Sequence, residues 1–283
     1  MNKKIIPLDI QDGSSTKITL FSKQENSDAP IIICFPAMGV EASYYEPFAV
    51  TLAEKGYLII TADLRGLGHS SIRASRQSNF DYLDILDLDF YTIFEFIKHR
   101  FSNNKKYVLG HSLGGQLASL YLSRSSQSMD GLILIACCSV YYKGWEGLEA
   151  WKILLMTQLS KVIGQVWGYF PGHRLGFGGK ESRSVIRDWS QQAKTGKYLE
   201  HHTDFNFEKG LQTCQIPILV LSIEGDRLAP LKAIKNLYEK FQSSPSIQHI
   251  HISPKGPNQE KINHFNWARK PAIIIEKIEE WIE

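Results

Sequence analysis

Short apolar runs alternate with longer amphipathic stretches along this chain, the pattern of a parallel sheet whose strands are joined by crossover helices. Ile31–Phe35, Tyr57–Thr61, Tyr107–Leu109, Gly131–Ile135 and Ile218–Leu221 are almost wholly apolar, as strands covered on both faces must be, and Ile247–His251 is a weaker sixth. Helical spacing falls over Tyr45–Lys55, Tyr82–Arg100, Leu113–Ser123, Leu231–Phe241 and Pro271–Ile282. Lys17–Phe21 reads as the start of an antiparallel edge after a polar turn over Asp9–Thr16, and the serine-rich Ser123–Ser128 as a helix-to-strand loop.

Between Val140 and about Gly210 the alternation breaks. The pattern therefore predicts an α/β core in two parts, residues 1–139 and 211–283, interrupted by a largely helical cap over 140–210. The cap carries Trp145, Trp151, Trp167, Tyr169, Phe170, Phe177 and Trp189. Two uses are open to them: gluing a small cap to the core, or lining an apolar pocket beneath a lid. Lys152, Gln158, Lys161 and Gln165 give Trp151–Phe170 no separate polar face, so a membrane-surface helix is not the favoured reading.

Composition narrows the function classes. A net charge of +3 with no long block of like charge argues against a nucleic-acid surface and fits a neutral or weakly acidic small molecule. No stretch approaches roughly 18 uninterrupted apolar residues, so no membrane-spanning helix is predicted. Met1–Lys4 is basic, but Ile5–Asp9 breaks before a signal-peptide apolar region could be completed, which predicts a cytoplasmic location. Cys34, Cys137, Cys138 and Cys214 read as buried thiols, because Cys137-Cys138 lacks the C-x-x-C spacing of a redox or zinc site. His201-His202 with Asp204 resembles a metal cluster, but adjacent histidines point differently and no further ligand stands at a recognised spacing. Asp84, Asp87 and Asp89 are expected to form the solvated N-terminal turn of a helix.

The sharpest chemical signal is Gly110-His111-Ser112-Leu113-Gly114, a G-x-S-x-G between an expected strand and an expected helix. A serine at such a turn sits in a strained backbone, and its glycine neighbours let the helix pack close to the strand. Ser112 is thus a candidate nucleophile, and it needs a base and a partner to hold the base's tautomer. In the chain order Ser, Asp or Glu, His, the carboxylate just past Ile218–Leu221 is Asp226. Its plainer reading is a turn or helix-cap aspartate, and Glu224 is the nearest rival. His264, in the polar region after Pro254–Lys261, falls in the slot for the base, whereas His249 and His251 share one face of a strand and read as structural. An oxyanion hole needs two N–H donors, each worth roughly 3 kcal/mol in the transition state. Leu113 supplies one by position, and the loop Pro36-Ala37-Met38-Gly39 must supply the other from Met38 or Ala37, since proline has no N–H.

These residues together resemble the α/β-hydrolase superfamily, and within it the branch with a serine aminopeptidase or monoacylglycerol-lipase type core. Asp63-Leu64-Arg65-Gly66-Leu67-Gly68-His69-Ser70 is similar to the family's D-x-R-G-x-G-x-S turn, and Asp226–Pro230 to its D-x-x-x-P turn. Pro36–Val40 with Tyr44-Tyr45, and Gly168–Gly172 in the cap, look like a bacterial subfamily of predicted hydrolases without an assigned substrate. Relatives carry His-Gly where this chain has Pro36-Ala37, and glycine is frequent where it has Asn263. Asp63, Arg65 and His69 are expected to hold the loop under the active site.

The expected protein is a serine hydrolase acting on a carboxylic ester of a small or medium apolar acyl group, through an acyl-enzyme on Ser112 and with no cofactor or metal. Thioester hydrolysis, acyl transfer and peptide cleavage use the same triad, and a non-catalytic binding module is the alternative of another class. A peptidase needs a carboxylate to hold a free amine, for which Glu146, Glu149 and Glu181 are the candidates.

Overall fold

The apolar runs become the inner strands of an α/β-hydrolase fold. The structure, a computed structural model, describes residues 1–24, 28–125, 129–198, 203–253 and 261–282. The strands are β1 (Asn2–Asp9), β2 (Ser15–Ser22), β3 (Ile31–Phe35), β4 (Leu58–Ala62), β5 (Lys106–His111), β6 (Gly131–Ile135), β7 (Tyr169–Pro171), β8 (Lys180–Ser182), β9 (Ile218–Ile223) and β10 (Ile247–Ile252). Eight of them form one sheet in the order β1-β2-β4-β3-β5-β6-β9-β10, parallel from β4 to β10, while β7 and β8 pair separately as an antiparallel ribbon. The helices are α1 (Glu46–Glu54), α2 (Tyr82–Asp84), α3 (Tyr91–Arg100), α4 (Leu113–Arg124), α5 (Gly147–Trp167), α6 (Gly172–Leu175), α7 (Arg183–Thr195), α8 (Phe207–Thr213), α9 (Leu231–Tyr238) and α10 (Ala272–Ile282).

Strand alternation divides the core in two. Ile31, Ile33, Phe35, Val108 and Leu134 face one side of the sheet, where Phe94, Leu117 and Leu237 of α3, α4 and α9 cover them. Ile32, Cys34, Leu109, Ile133 and Leu219 face the other, against Phe48 and Leu52 of α1, Ile274 and Ile278 of α10, and Trp267. Each such side chain contributes about 1.5–3 kcal/mol by leaving water, and the two layers together hold the strand ends that carry the site in register. All four cysteines are free and buried, as their apolar settings predict.

Two elements differ from expectation at the edges. The antiparallel edge strand is β1, not Lys17–Phe21, which lies one position inward as β2 between β1 and β4. Most of β1 is exposed, so it has no apolar alternation, and Pro7 lies opposite Lys17 on an edge where a missing N–H is tolerated. The expected helix over Tyr82–Arg100 is continuous but widens into a π-helical stretch over Ile85–Phe90.

That stretch overturns the reading of its aspartates as one solvated turn. Asp84 closes a capping box with Asp81, and Asp87 pairs with Arg124 at the surface. Asp89 is buried, and its Oδ2 accepts Arg65 Nε at 2.5 Å. Arg65 also donates to Asp12 Oδ2 at 2.7 Å and Ser14 Oγ at 3.2 Å, pinning the 63–70 turn to the β1–β2 connection. Asp63 accepts the N–H groups of Ala42 at 2.7 Å and His69 at 2.9 Å, the structural role expected of that turn.

Between β6 and β9 the chain forms the β7–β8 ribbon and helices α5 to α8. Ile153, Met156 and Ile163 of α5 pack inward, while Leu148, Trp151, Leu155, Leu159, Val162 and Val166 are exposed on its outer side. Among the described residues no helix is long and apolar enough to cross a membrane. His201-His202, half of Ser123–Ser128 and most of Pro254–Lys261 lie outside the described residues; among the described ones no group of three or more His, Cys, Asp or Glu could hold a metal.

Burial pushes the Asp89 carboxyl up to about 6 even with the Arg65 guanidinium drawing it down. Removing the arginine leaves a carboxyl uncompensated in the core. Arg65→Met is therefore expected to lower the unfolding free energy at pH 7 by about 3–5 kcal/mol in urea titrations, with Asp89→Asn in the same chain recovering part of the loss.

Candidate active site

Ser112 stands between the end of β5 and the start of α4 with φ 51° and ψ −119°, a left-handed region that a serine occupies only under constraint. The constraint comes from neighbours without side chains. A Cβ on Gly110 would lie 2.2 Å from the Gly115 Cα, and one on Gly114 would lie 2.4 Å from the Pro36 carbonyl oxygen. Only glycine lets α4 pack against β5 and the loop after β3 this closely.

Asp226 follows β9 in a tight turn and is buried. Its Oδ1 accepts the N–H groups of Leu228 at 2.9 Å and Ala229 at 3.1 Å, so the turn-aspartate reading is correct as far as it goes. Its Oδ2 is left for His264 Nδ1, 2.8 Å away. A carboxylate oxygen accepts, so Nδ1 is the donor in this bond, which leaves Nε2 as the ring nitrogen not engaged by Asp226. Glu224, the rival, is exposed and accepts from Ser253 Oγ at 2.5 Å instead. Asn263 closes the turn that contains His264, its Oδ1 accepting the N–H groups of Phe265 at 3.0 Å and Asn266 at 2.9 Å. His249 and His251 both meet Ser222 Oγ at 2.8 Å, on one face as their spacing predicts.

The loop after β3 leaves one choice between its two candidate donors. The Ala37 N–H donates to Tyr45 Oη at 3.0 Å, and Tyr45 Oη lies 2.6 Å from His111 Nδ1. Burial pushes the Tyr45 hydroxyl well above its ordinary value, and burial together with the nearby His264 holds His111 well below its own, so both are neutral and the tyrosine proton goes to Nδ1. With Ala37 engaged, Met38 and Leu113 keep N–H groups that find no acceptor among the described residues. The Tyr45–His111 link escaped the sequence reading, although His111 is the variable residue inside G-x-S-x-G.

Ala37, Met38, Ser112, Leu113 and His264 line a single cavity of about 240 Å³. The cap closes it with Trp145, Ile153, Met156, Phe177 and Trp189, and Gln116, Val140, Leu228 and Phe265 complete much of the wall. Trp145 is fixed by its Nε1–H, which donates to the Arg227 carbonyl at 2.9 Å beside the Asp226 turn. The cap aromatics thus divide: Trp145, Phe177 and Trp189 line the cavity, Phe170 is buried with the core, and Trp151 and Trp167 face outward. Among the described residues no carboxylate lines the cavity. Glu146 and Glu149 are exposed, the latter paired with Lys152, and Glu181 is buried and accepts the Gly179 N–H.

Residues 26–202 match the model of the family described as Serine aminopeptidase, S33. Among curated proteins the chain is 26% identical over 160 residues to the monoacylglycerol lipase ABHD2 of Danio rerio, covering 54% of this chain and 36% of that protein. It is 26% identical over 168 residues to the abhydrolase domain-containing protein lid-1 of Caenorhabditis elegans, covering 59% and 44%. The matched segment spans less than half the length of either relative. Among solved structures, Est1E from Butyrivibrio proteoclasticus with bound ferulic acid superposes with a TM-score of 0.68 at 15% identity, covering 98% of this chain and 97% of that one. An esterase from Exiguobacterium antarcticum gives 0.65 at 16% identity over 98% of both chains. Fold, sheet order and matched sequence agree: the chain belongs to the serine aminopeptidase S33 family of the α/β-hydrolase superfamily.

Proposed function

We propose that this protein is a serine hydrolase cleaving a carboxylic ester of a small or medium apolar acyl group. The observation that carries the reading is the buried Asp226–His264 pair opening onto the same apolar cavity as the strained Ser112. His264 Nε2 takes the Ser112 proton as Oγ attacks the ester carbonyl, and Asp226 orients the ring and stabilises the imidazolium. The N–H groups of Leu113 and Met38 receive the negative charge on the carbonyl oxygen. Collapse returns the proton to the leaving alcohol and leaves Ser112 acylated. Water, deprotonated by the same imidazole, then releases the acid and restores the serine.

The cavity supports the substrate class. Its volume of about 240 Å³ lies below the roughly 300 Å³ at which drug-sized ligand sites begin, which suits a short or medium acyl group. Among the described residues the wall offers no carboxylate to a free amine and no lysine or arginine to an acidic substrate. That absence among the lining residues favours an ester over the N-terminal peptide bond in the family's description.

A fluorophosphonate probe is expected to label the native chain and not Ser112→Ala. With p-nitrophenyl esters, Ser112→Ala and His264→Ala each lower kcat by about 10⁴-fold or more, and Asp226→Asn by about 10⁴-fold. Turnover of aminoacyl p-nitroanilides with a free amine, in preference to these esters, would overturn the ester reading. Met156→Trp fills part of the cavity and is expected to move the best substrate in an ester chain-length series toward shorter acyl groups. Tyr45→Phe strips the Ala37 N–H of its acceptor and is expected to cost about 1–3 kcal/mol in urea unfolding.

A further inference from the structure

Among the described residues one side-chain amide, that of Gln116, lines the cavity. The residue is only 2% exposed. It follows Ser112 by four positions at the start of α4, and its backbone N–H donates to the Ser112 carbonyl at 3.1 Å. The two residues are therefore one helical turn apart, roughly 5 Å along the axis.

Tyr198 fixes which way the amide faces. Its Oη donates to Gln116 Oε1 at 3.1 Å, and burial pushes the phenol well above its ordinary value, so the hydroxyl keeps its proton and serves as that donor. Tyr198 is itself buried, with its N–H on Glu208 Oε1 at 2.9 Å and Lys240 Nζ over its ring. With the oxygen taken, Gln116 Nε2 holds two N–H groups that meet no acceptor among the described residues. Nor is this nitrogen one of the side-chain atoms sealed in protein without a partner, so on a residue this buried it opens onto the cavity that the residue lines. Cys138 and Trp145, on the same wall, spend their donors on the Leu228 carbonyl at 3.6 Å and the Arg227 carbonyl at 2.9 Å.

We infer that Gln116 is a specificity-determining residue, whose Nε2 donates to a neutral acceptor oxygen carried by the acyl group a few bonds from the ester carbonyl. This rests on the hydrolase reading above, with the acyl group in the cavity. A wholly hydrocarbon acyl group would strip the amide of water and return no partner, which is costly in an apolar wall. A ketone, ether or hydroxyl oxygen at that depth satisfies it. The acceptor is neutral because no lysine or arginine among the described residues lines the cavity to hold a carboxylate. A site that bonds one polar atom of its substrate rejects the analogue lacking it far more strongly than an apolar pocket rejects a missing methylene. The favoured substrate is thus an oxygenated short or medium acyl ester rather than a plain alkanoate.

The test compares the full chain with Gln116→Met, which removes both donors at similar length. kcat/KM is measured on p-nitrophenyl hexanoate and on its 3-oxa, 4-oxo and 5-oxo analogues, each taken as a ratio to the hexanoate. Comparing the ratios between the two proteins cancels the intrinsic reactivity of each ester. For the best oxygenated ester the wild-type ratio is expected to exceed the variant's by about tenfold or more. Equal ratios in wild type and a folded variant would overturn the inference. So would a preference that appears only with the oxygen in the alcohol, read from butyl and 2-methoxyethyl hexanoates. One further readout needs neither turnover nor a folded Gln116 variant. In ¹H–¹⁵N spectra of Ser112→Ala, the Gln116 side-chain NH₂ pair, assigned by triple resonance, is expected to shift on titration with 2-hexanone, and a pair that ignores the ketone overturns the inference. A native chain that neither labels with the fluorophosphonate nor turns over any ester would sink the hydrolase reading instead, and the NH₂ titration would still decide whether Gln116 takes an acceptor in the cavity.

Discussion

The close approach of α4 to β5 and to the loop after β3 is the constraint on which the rest of the site depends. It forces Ser112 to a φ of 51° and brings Gly114 against the Pro36 carbonyl, so the proposed nucleophile and the loop carrying Met38 are parts of one packed junction. A helix seated one methyl group farther away would relax the serine and separate the two N–H groups of the proposed oxyanion hole. The strain is borne by the hydrophobic layers on both faces of the sheet, which bury strands β3, β5 and β6 completely.

Around that junction, polar groups do two things at once. Asp226 shapes its own turn with one oxygen and holds His264 with the other. Tyr45 joins the loop after β3 to His111 inside the G-x-S-x-G turn, so the loop and the turn cannot move independently. Arg65, farther out, fastens the 63–70 turn to the first two strands through a buried aspartate. In each case a buried polar atom that would be costly alone is satisfied by a group from another element, which makes the geometry specific. The cap adds the remaining wall, almost entirely apolar, and its ribbon rests on the same loop at Gly39.

Much of this was legible in the order of residues. The inner strands were readable because burial on both faces demands unbroken apolar runs, and G-x-S-x-G because close packing demands glycine. The edge strand β1 was not, since an exposed strand with a proline has no periodic signature. Asp89 was misread because acidic residues near a helix start suit solvent and the helix dipole, whereas in the fold Asp89 is buried against the Arg65 guanidinium. The cap aromatics could be counted but not sorted, because periodicity within α5 says nothing about which side the core occupies.

The sequence by itself determined the α/β class, the G-x-S-x-G turn and the chain order Ser112, Asp226, His264 of the proposed triad, since each rests on local chemistry: strand burial, glycine at tight contacts, and a carboxylate and an imidazole beyond successive strands. Only the tertiary structure decided that Asp226 rather than Glu224 faces His264, that the Ala37 N–H is taken by Tyr45 while that of Met38 meets no acceptor among the described residues, and that Glu181 takes the Gly179 N–H rather than lining the cavity. Those outcomes depend on which side chains meet across elements far apart in the chain, and a hydrogen bond is decided at a few tenths of an ångström that no spacing along the sequence records.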